Sequence, residues 1–383
     1  YLIDLTGRID GSSNFASKQR SAPFWSAGVR WNIYNEKFMK THGWFENLAV
    51  RANIGTVGNQ NFQLSQIMTL YNFLKMYDGV MGAEIMSIAN PELKWQTTLN
   101  RNIGLEFSLL QGLVNLDFNY YSNITKNNLT DIAILPSTGF STYKANMGKV
   151  RNQGYEFSLS ITPIKKNGWI VNAFVNGAHN KNKLLNISDA LRDYNEVIKE
   201  NQTAHLNYAG YTQLERIFLF EEGQSLNSIF AVRSMGIDPG TGQEIFVTAD
   251  GVQTFQWNAA DQVVVGNTEP TLKGYFGLNV DYKRWSFGAN FQYSFGADRY
   301  NKTLYEKIEG GNFAQNADRR ALTQRWTKPG DVAKYRGYGN TSQLKPTSRF
   351  VQKDDFLSMT SARLSYTLNA KDLQAAKEQQ MSV

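Results

Sequence analysis

The feature that most constrains this chain is a repeated alternation of apolar and polar residues within short segments. Over residues 285–296, the series Trp, Phe, Ala, Phe, Tyr, Phe alternates with Ser, Gly, Asn, Gln, Ser, Gly. The same two-residue period recurs at 25–33, 48–55, 114–120 and 155–161. Because successive side chains of a β-strand point to opposite faces, each segment predicts a strand with one bulky apolar face and one small polar face.

Two kinds of fold produce this pattern. In a soluble β-sandwich the apolar face packs into a core, whereas in a membrane β-barrel it meets lipid and the polar face lines a wet interior. Asn, Gln, Ser and Gly on the polar face, together with aromatic residues near strand ends such as Trp169 and Trp285, favour the barrel. The residues alone leave the sandwich open as the alternative.

The connections between the predicted strands alternate between short and long. Links of two residues occur at 111–112 and 283–284, while long polar stretches lie near 56–94, 127–143, 184–209, 238–265 and 300–349. Outer-membrane barrels combine short periplasmic turns with long extracellular loops in this way. The pattern predicts twelve strands, near 1–10, 23–34, 48–55, 95–110, 112–125, 144–162, 169–183, 210–220, 229–237, 266–282, 285–299 and 350–368.

Two helices are expected within the long loops, at 62–76 and at 188–199, with irregular loop as the alternative for each. No apolar run reaches about 18 residues, so no membrane-spanning helix is expected.

Composition argues against several other functions. The 383 residues contain 40 Lys and Arg against 33 Asp and Glu, but the basic residues are dispersed rather than clustered, so nucleic-acid binding is not expected. The absence of Cys excludes thiolate metal sites, and three His make a histidine-built metal centre improbable. The motifs of serine hydrolases, zinc proteases and P-loop proteins do not occur. We therefore expect no enzyme, no cofactor and no bound metal.

Segments spread over nearly the whole chain resemble those of one known family, the SusC/RagA-type TonB-dependent transporters of the Bacteroidota outer membrane. They are R-I-D-G-S-S-N-F (8–15), N-P-E-L-K-W-Q-T-T (90–98) with N-I-G-L-E (102–106), N-M-G (146–148) with N-Q-G-Y-E (152–156), E-G-Q-S (222–225), G-I-D-P-G-T-G (236–242), G-N-T-E-P (266–270), R-W-T-K-P-G-D (325–331), and S-R-F (348–350) with F-L (356–357). The order and spacing of these segments carry the resemblance.

The resemblance implies an all-β fold, a transmembrane antiparallel β-barrel with long extracellular loops and short periplasmic turns. Barrels of this family have roughly 22 strands around a plugged lumen. By analogy, the twelve predicted strands would be strands nine to twenty. Residues 1–383 are therefore expected to be one incomplete barrel segment, without the family's N-terminal plug, its early strands and its last strands.

The resemblance also implies a function and a location. A transporter of this kind lies in the bacterial outer membrane as a multi-pass β-barrel, in contact with lipid and lipopolysaccharide. It imports a large nutrient, an oligosaccharide or a peptide, with energy delivered by TonB through the N-terminal part. A SusD-like surface lipoprotein acts as its lid, and the assembly is a dimer of transporter–lipoprotein pairs or a larger complex. The alternative is a structural or assembly barrel subunit of a larger outer-membrane complex that transports nothing.

Aromatic residues in the long loops are candidates for substrate binding, because their rings stack on sugars and their polar atoms hydrogen-bond to hydroxyls. The candidates are Tyr208, Tyr211, Trp257, Tyr335 and Tyr338. The alternative for each is a packing role within the loops or a contact with the lid.

Overall fold

The computed structural model of the protein describes residues 1–12, 20–39, 44–59, 69–86, 90, 93–133, 139–140, 142–146, 148–189, 191–193, 195–196, 219–311, 318–339 and 344–368. Its strands are β1 (Leu2–Gly11), β2 (Ser21–Asn32), β3 (Phe45–Asn59), β4 (Tyr71–Tyr77), β5 (Val80–Ile85), β6 (Gln96–Leu109), β7 (Val114–Lys126), β8 (Leu129–Ala133), β9 (Thr142–Asn146), β10 (Gly148–Lys166), β11 (Trp169–Ile187), β12 (Ser228–Ile237), β13 (Glu244–Val247), β14 (Gln253–Thr254), β15 (Gln262–Asn267), β16 (Leu272–Tyr282), β17 (Trp285–Phe295), β18 (Asp298–Tyr300), β19 (Val351–Lys353) and β20 (Phe356–Tyr366).

Among the described residues, helical structure is confined to short pieces of the connections. These are 3₁₀ turns at Ile33–Asn35, Ala259–Asp261 and Ser348–Phe350, a π-helical segment at Thr303–Glu309, one α-helical turn at Arg320–Thr323 and the helical residues 189, 191–193 and 195–196. Among the described residues, no helix is long and apolar enough to cross a membrane.

Ten strands form one antiparallel sheet in the order β1-β2-β3-β6-β7-β10-β11-β16-β17-β20. Every neighbouring pair follows the chain order, so the sheet is an up-and-down meander. The connections at one end are 33–44, 110–113, 167–168 and 283–284. Those at the other end are 12–20, 60–95, 127–147, 188–271 and 296–355. The predicted alternation of short and long connections is confirmed from β3 onwards, whereas 33–44 is longer than 12–20.

The register places the apolar residues of the alternating segments in the large sheet on one face. One row of directly opposed residues crosses eight strands as Leu48, Phe107, Leu116, Leu159, Val175, Phe276, Phe291 and Met359. The next row along the strands is Ala49, Glu106, Asp117, Ser158, Asn176, Tyr275, Gln292 and Ser358. Adjacent rows point to opposite faces, so the sheet has one continuous apolar face and one continuous polar face.

Aromatic residues form a band on the apolar face at the short-turn end. Trp169 lies opposite Tyr282, Tyr282 opposite Trp285, and Trp285 opposite Tyr366. The rings of Trp169 and Tyr282 stack with centroids 4.1 Å apart. Amphipathic rings at this height are typical of the interface between lipid and water.

The tight hairpins follow from local turn chemistry. Asn167 and Gly168 join β10 to β11 with φ angles of 54° and 79°. Two consecutive positive φ angles define the type I′ turn, whose twist matches that of paired strands, and Asn-Gly is the favoured sequence for it.

The structure corrects several of the predicted elements. The strand predicted at 229–237 exists as β12, but it belongs to a separate four-stranded sheet, β14-β13-β12-β15, within the connection 188–271. Of the predicted strand 210–220, residues 210–218 lie outside the described residues, and 219–220 are not in a strand. The large sheet therefore contains ten of the twelve predicted strands, within the described part of the chain.

The helix predicted at 62–76 is wrong where the structure describes it, because residues 71–77 form β4 and pair with β5. Asp78 and Gly79, with φ angles of 48° and 76°, close a type I′ turn that favours a hairpin over a helix. Residues 62–68 lie outside the described residues. The helix predicted at 188–199 is confirmed at residues 189, 191–193 and 195–196, the described part of its span apart from Ser188.

Placing Arg on the apolar face tests the assignment of this face to lipid. Phe291 lies in the middle of β17 and stacks on Phe276 at 5.0 Å. We expect Phe291→Arg to cost about 2–4 kcal/mol in a membrane-refolding assay, as charges do near the bilayer midplane. The neighbouring substitution Gln292→Arg lies on the polar face and should be much milder. Equal effects of the two substitutions would contradict the assignment.

Candidate binding site in the long loops

A second folded unit occupies the two longest connections, which join β11 to β16 and β17 to β20. We call residues 228–267, 298–309, 318–339 and 344–353 the loop module. The two connections meet where Val232 of β12 bridges Thr347. Their apolar residues form one buried cluster: Ile229, Tyr300, Leu304, Tyr305, Ile308, Ala321, Tyr335 and Phe350. The loops are thus held by a core of their own at one end of the large sheet.

A chain of four buried charges lies beside this core. The Arg349 guanidinium donates to Glu244 Oε2 at 2.9 Å and to Glu309 Oε2 at 2.8 Å. Arg336 Nε donates to the other Glu309 oxygen at 2.8 Å. The Glu309 side chain is fully buried, and those of Arg336 and Arg349 are nearly so. Two carboxylates and two guanidiniums therefore neutralise one another, as buried charges require.

The pairing sets the protonation of this network. Burial acts to raise the pKa of Glu309, but the charges and hydrogen bonds of Arg349 and Arg336 outweigh burial and lower it below its ordinary value of 4.5. Burial likewise acts to lower the pKa of Arg349, and Glu244 and Glu309 raise it instead. Glu309 and Arg349 therefore remain ionised at neutral pH.

Arg325 connects separate turns of the module through their carbonyl groups. Its guanidinium donates to the carbonyl oxygens of Ala321 at 3.0 Å, Arg336 at 2.9 Å and Ile308 at 2.7 Å. The bonds to Ile308 and Ala321 satisfy carbonyls of helical turns, which leave such groups without a partner at their C-terminal ends. Arg325 is thereby a structural residue of the module.

Two of the sequence segments singled out above are joined here. In segment 236–242, the Asp238 carboxylate accepts hydrogen bonds from the backbone and hydroxyl of Thr241. In segment 325–331, the Asp331 carboxylate accepts from Thr327 in the same way. The two turns meet at the Pro239 carbonyl, which accepts from Trp326 Nε1 and from the Gly330 amide, both at 2.9 Å. These carboxylates close the two turns.

A groove of about 570 Å³ opens at this junction. It is lined by Thr241, Gly242, Gln243, Glu244, Phe246, Phe255, Trp326, Arg336, Gly337 and Gly339. The Trp326 ring lies so close to the backbone of Gly242 and Gly337 that a Cβ at either glycine would overlap it. The ring is therefore held in place at the wall of the groove before any ligand arrives.

The predicted substrate residues lie at different depths of this module. Tyr335 is 5% exposed and belongs to its core, so the structure places it in a packing position. Tyr338 is 48% exposed, next to the groove, with its ring 5.3 Å from the Arg325 guanidinium carbon. Trp257 donates to the Pro346 carbonyl at 3.2 Å and lies under Lys345 Nζ. Tyr208 and Tyr211 lie outside the described residues. Substrate binding by these five residues remains a prediction.

Sequence reasoning missed the residues that line the groove. Phe246, Phe255 and Gln243 carry no motif, and Trp326 was noted only as part of the segment 325–331. The lining comes from stretches about eighty residues apart, which only the module's fold brings together. Among the described residues, no group of three or more His, Asp or Glu is placed to hold a metal ion.

A second charged cluster lies on the polar face of the large sheet, near the short turns. Arg30 lies opposite Arg51, and Glu106 lies opposite Asp117, so both direct pairs carry like charges. The diagonal contacts offset this repulsion: Arg51 donates to Glu106 at 2.7 Å and to Asp117 at 3.2 Å, and Arg30 also pairs with Glu106. These charges are partly exposed, which suits a wet face.

A meander with one apolar and one polar face, an aromatic band and a folded module in the loops at one end belongs to the class of outer-membrane β-barrels. Residues 1–218 match the family described as TonB dependent receptor-like, beta-barrel. The chain belongs to this family, and it is of the SusC/RagA type. This is a family of outer-membrane receptors and transporters rather than enzymes.

Relatives and solved structures support this assignment. The chain is 28% identical to the TonB-dependent receptor P39 of Formosa agariphila, over 97% of this chain and 39% of that receptor. It is 26% identical to the TonB-dependent receptor SusC of Bacteroides thetaiotaomicron, over 83% of this chain and 32% of SusC. A structure of the RagAB peptide transporter superimposes with a TM-score of 0.80 at 26% identity, over 96% of this chain and 40% of the other. The chain thus spans about a third to two-fifths of the length of these proteins.

The buried network predicts acid sensitivity of the loop module. Since the pKa of Glu309 is lower in the folded than in the unfolded module, the unfolded form binds protons more readily. The stabilisation is complete above the ordinary value of 4.5 and is lost as the pH falls through the depressed pKa. The protection of β12 amides, taken as the intrinsic exchange rate at each pH divided by the observed rate, should therefore fall in this acid range.

Glu309→Gln isolates the effect of this carboxylate. It should destabilise the module by about 3 kcal/mol at neutral pH, because Arg336 and Arg349 lose the buried carboxylate that they share. It should also reduce the dependence of the module's stability on acid pH. The control Asp250→Asn changes an exposed carboxylate of the same module and should alter neither. If the stability of the Glu309→Gln module still falls with acid pH as that of the unmodified module does, the proposed role of Glu309 is refuted.

Proposed function

We propose that this chain forms part of an outer-membrane transporter that imports a large nutrient, an oligosaccharide or a peptide, with energy delivered through TonB. Membership of the TonB-dependent receptor family supports the energy source. The similarity to SusC and to the RagAB peptide transporter supports import of a large solute. In this proposal TonB acts through a plug segment that precedes the barrel strands.

The observation that carries the proposal is the loop module above the sheet. Loops that only join barrel strands need no core, yet these connections form a sheet, an apolar cluster and a neutralised buried network. Rigid loops at the mouth of a barrel provide a surface on which a solute or a partner can be held in one orientation. Such pre-organisation reduces the entropy lost on binding.

We also propose a SusD-like surface lipoprotein as the lid of this barrel. The hairpin β4–β5, in the long connection between β3 and β6, carries exposed apolar side chains: Tyr71, Phe73, Met76, Val80 and Met81. Exposed apolar patches of this kind mark protein–protein contacts, and Met side chains adapt to the surface of a partner. The hairpin therefore fits a contact with the lid.

Charge placed on this hairpin tests the lid contact. Met76 and Met81 lie directly opposite each other and are 67% and 66% exposed. We expect the double substitution Met76→Glu and Met81→Glu to reduce co-purification of the SusD-like lipoprotein about tenfold, because two charges would be buried in an apolar contact. The control Met235→Glu alters a comparably exposed Met of the loop module and should leave co-purification unchanged. Equal recovery with both variants would contradict the proposed contact.

Import itself is tested in cells that express the protein carrying this chain. Accumulation of labelled oligosaccharides and peptides should stop when TonB is removed or the inner-membrane proton gradient is collapsed. A structural or assembly subunit would instead leave accumulation unchanged while altering the composition of the outer-membrane complex. Accumulation that persists without TonB would overturn the proposed energy source.

A further inference from the structure

The apolar face of the large sheet gives way to basic residues at the end where the long connections lie. Arg151 of β10 lies opposite Lys183 of β11, and Lys149 of β10 lies opposite Lys126 of β7. These side chains point to the same face as the apolar residues of their strands, because they are an even number of positions away from them. We call the following six residues the basic patch: Arg101, Lys126, Lys149, Arg151, Lys181 and Lys183.

The basic patch lies just beyond the apolar band of this face. Trp169, in the aromatic band at the short-turn end, and His179 are ten residues apart on β11. Ten residues span about 33 Å along a strand. At the usual tilt of the strands this is about 25 Å across the membrane, which is the height of the apolar band of an outer-membrane barrel. Tyr120 and Tyr155 lie in the row of His179, and the patch begins two residues further along, at the level of lipid headgroups.

The charges of the basic patch are not neutralised within the described part of the chain. None of its six side chains forms an ion pair or a hydrogen bond with another described residue, and Arg151 Nε is buried without a partner. Glu222, near the outer end of β11, is engaged by the Ile187 amide and by Arg192. An orphaned donor of this kind indicates an ion or water at the site.

The arrangement of the basic patch is repulsive by itself. Arg151 and Lys183 form one directly opposed pair of like charges, and Lys126 and Lys149 form a second. Like charges at such positions destabilise a sheet. On the polar face, the opposed pair Arg30 and Arg51 is offset by diagonal carboxylates, but the basic patch has no such contacts among the described residues. An anion bound from outside would remove this repulsion.

The positive charge is concentrated on one part of the sheet. The equivalent row on β1–β3 contains Leu5, Ala27 and Ile54, and Ile54 lies directly opposite Arg101. The patch therefore begins at β6 and extends over β7 and β10 to β11. A general adjustment to the headgroup layer would place basic residues on β1–β3 as well. The concentration on four neighbouring strands indicates a site for one anionic molecule.

The surface around the basic patch requires a ligand that is both anionic and apolar. Leu99 and Ile124 lie in the same row as Arg151 and Lys183. Guanidinium and ammonium groups bind phosphate through charge-assisted hydrogen bonds. A free phosphate ion would gain nothing from Leu99 and Ile124, whereas the acyl chains of a lipid would cover them. The four strands extend over about 14 Å, which accommodates more than one phosphate group.

We infer that the basic patch binds the phosphate groups of a phosphorylated glycolipid of the outer leaflet, the membrane-embedded part of lipopolysaccharide, with its acyl chains on the apolar face below. Contact with lipid is common to all membrane barrels, whereas this inference assigns a fixed headgroup site to β6, β7, β10 and β11. It goes beyond the import proposed above and does not depend on it.

Lipid binding to the purified protein tests the inference. The whole protein carrying this chain, freed of lipid in detergent, is titrated with diphosphoryl lipid A, with the same lipid after removal of its phosphates, and with inorganic phosphate. Bound lipid is counted by native mass spectrometry. We expect the diphosphoryl lipid to bind and both other probes to bind at least about tenfold more weakly, since the phosphates and the acyl chains each contribute.

Two substitutions in the basic patch should weaken this binding. Lys181→Gln combined with Lys183→Gln removes two exposed charges of β11 and should reduce the affinity for diphosphoryl lipid A about tenfold. In lipid-free detergent this variant should unfold at no lower a temperature than the unmodified protein, because it loses no partner and some repulsion. Diphosphoryl lipid A should then raise the unfolding temperature of the unmodified protein more than that of the variant.

The charge-matched control is Lys165→Gln combined with Lys166→Gln, at the short-turn end of β10. It should change the affinity for diphosphoryl lipid A by less than about twofold. Four results would overturn the inference: the dephosphorylated lipid binds equally well, inorganic phosphate binds as tightly as the lipid, the two double variants have equal affinities, or a protein co-purifies with the unmodified chain and is lost from the Lys181 and Lys183 variant. Each of them would leave the proposed import unaffected, because import is measured separately in cells.

Discussion

Continuous backbone pairing across the ten-stranded sheet is the interaction on which the rest of this structure depends. In hydrocarbon, no water can satisfy an unpaired N–H or C=O group, so each strand must pair with its neighbours. This pairing fixes the register, and the register separates the rows that contain Phe276 and Tyr275 onto opposite faces. A slip of one residue between two strands would expose polar groups to lipid and place aromatic rings against the wet face.

The loop module shows the opposite solution to the problem of pairing polar groups. Its strands are short, and side chains replace much of the backbone pairing. Arg325 satisfies carbonyls of three separate segments, and Arg349 joins two carboxylates that lie far apart in the chain. Removal of one such group leaves others buried without partners, which explains why a loop with few regular elements is still well defined.

The large sheet and the loop module form different kinds of surface. The sheet provides a wall whose apolar face is uniform and whose polar face is wet. The module provides a rigid surface at the end where the long connections lie, with a groove between Phe255 and Trp326. The apolar hairpin β4–β5 belongs to another long connection at that end, between β3 and β6. Because the charges beneath the groove are neutralised internally, its surface is left to ring faces and amide groups.

Much of the large sheet was predictable from sequence, because a strand with two unlike faces has a local signature of period two. The segment 285–296 and the turn Asn167-Gly168 needed no information from elsewhere in the chain. The same local reasoning failed for β12, which has a strand sequence yet pairs within a loop. It also failed at residues 71–77, where spacing suggested a helix and the turn at Asp78 and Gly79 makes a hairpin.

The groove, in contrast, was decided by tertiary structure. Tyr335 and Tyr338 are three residues apart and look alike in sequence, but one lies in the core of the loop module and the other beside the groove. Gln243, Phe255 and Trp326 come together only because Pro239 binds one turn to another and Arg349 joins two carboxylates. The sequence by itself therefore determined the large sheet, because the alternation of apolar and polar side chains is a relation between residues adjacent in the chain. Burial and long-range hydrogen bonds determined the loop surface that forms the groove.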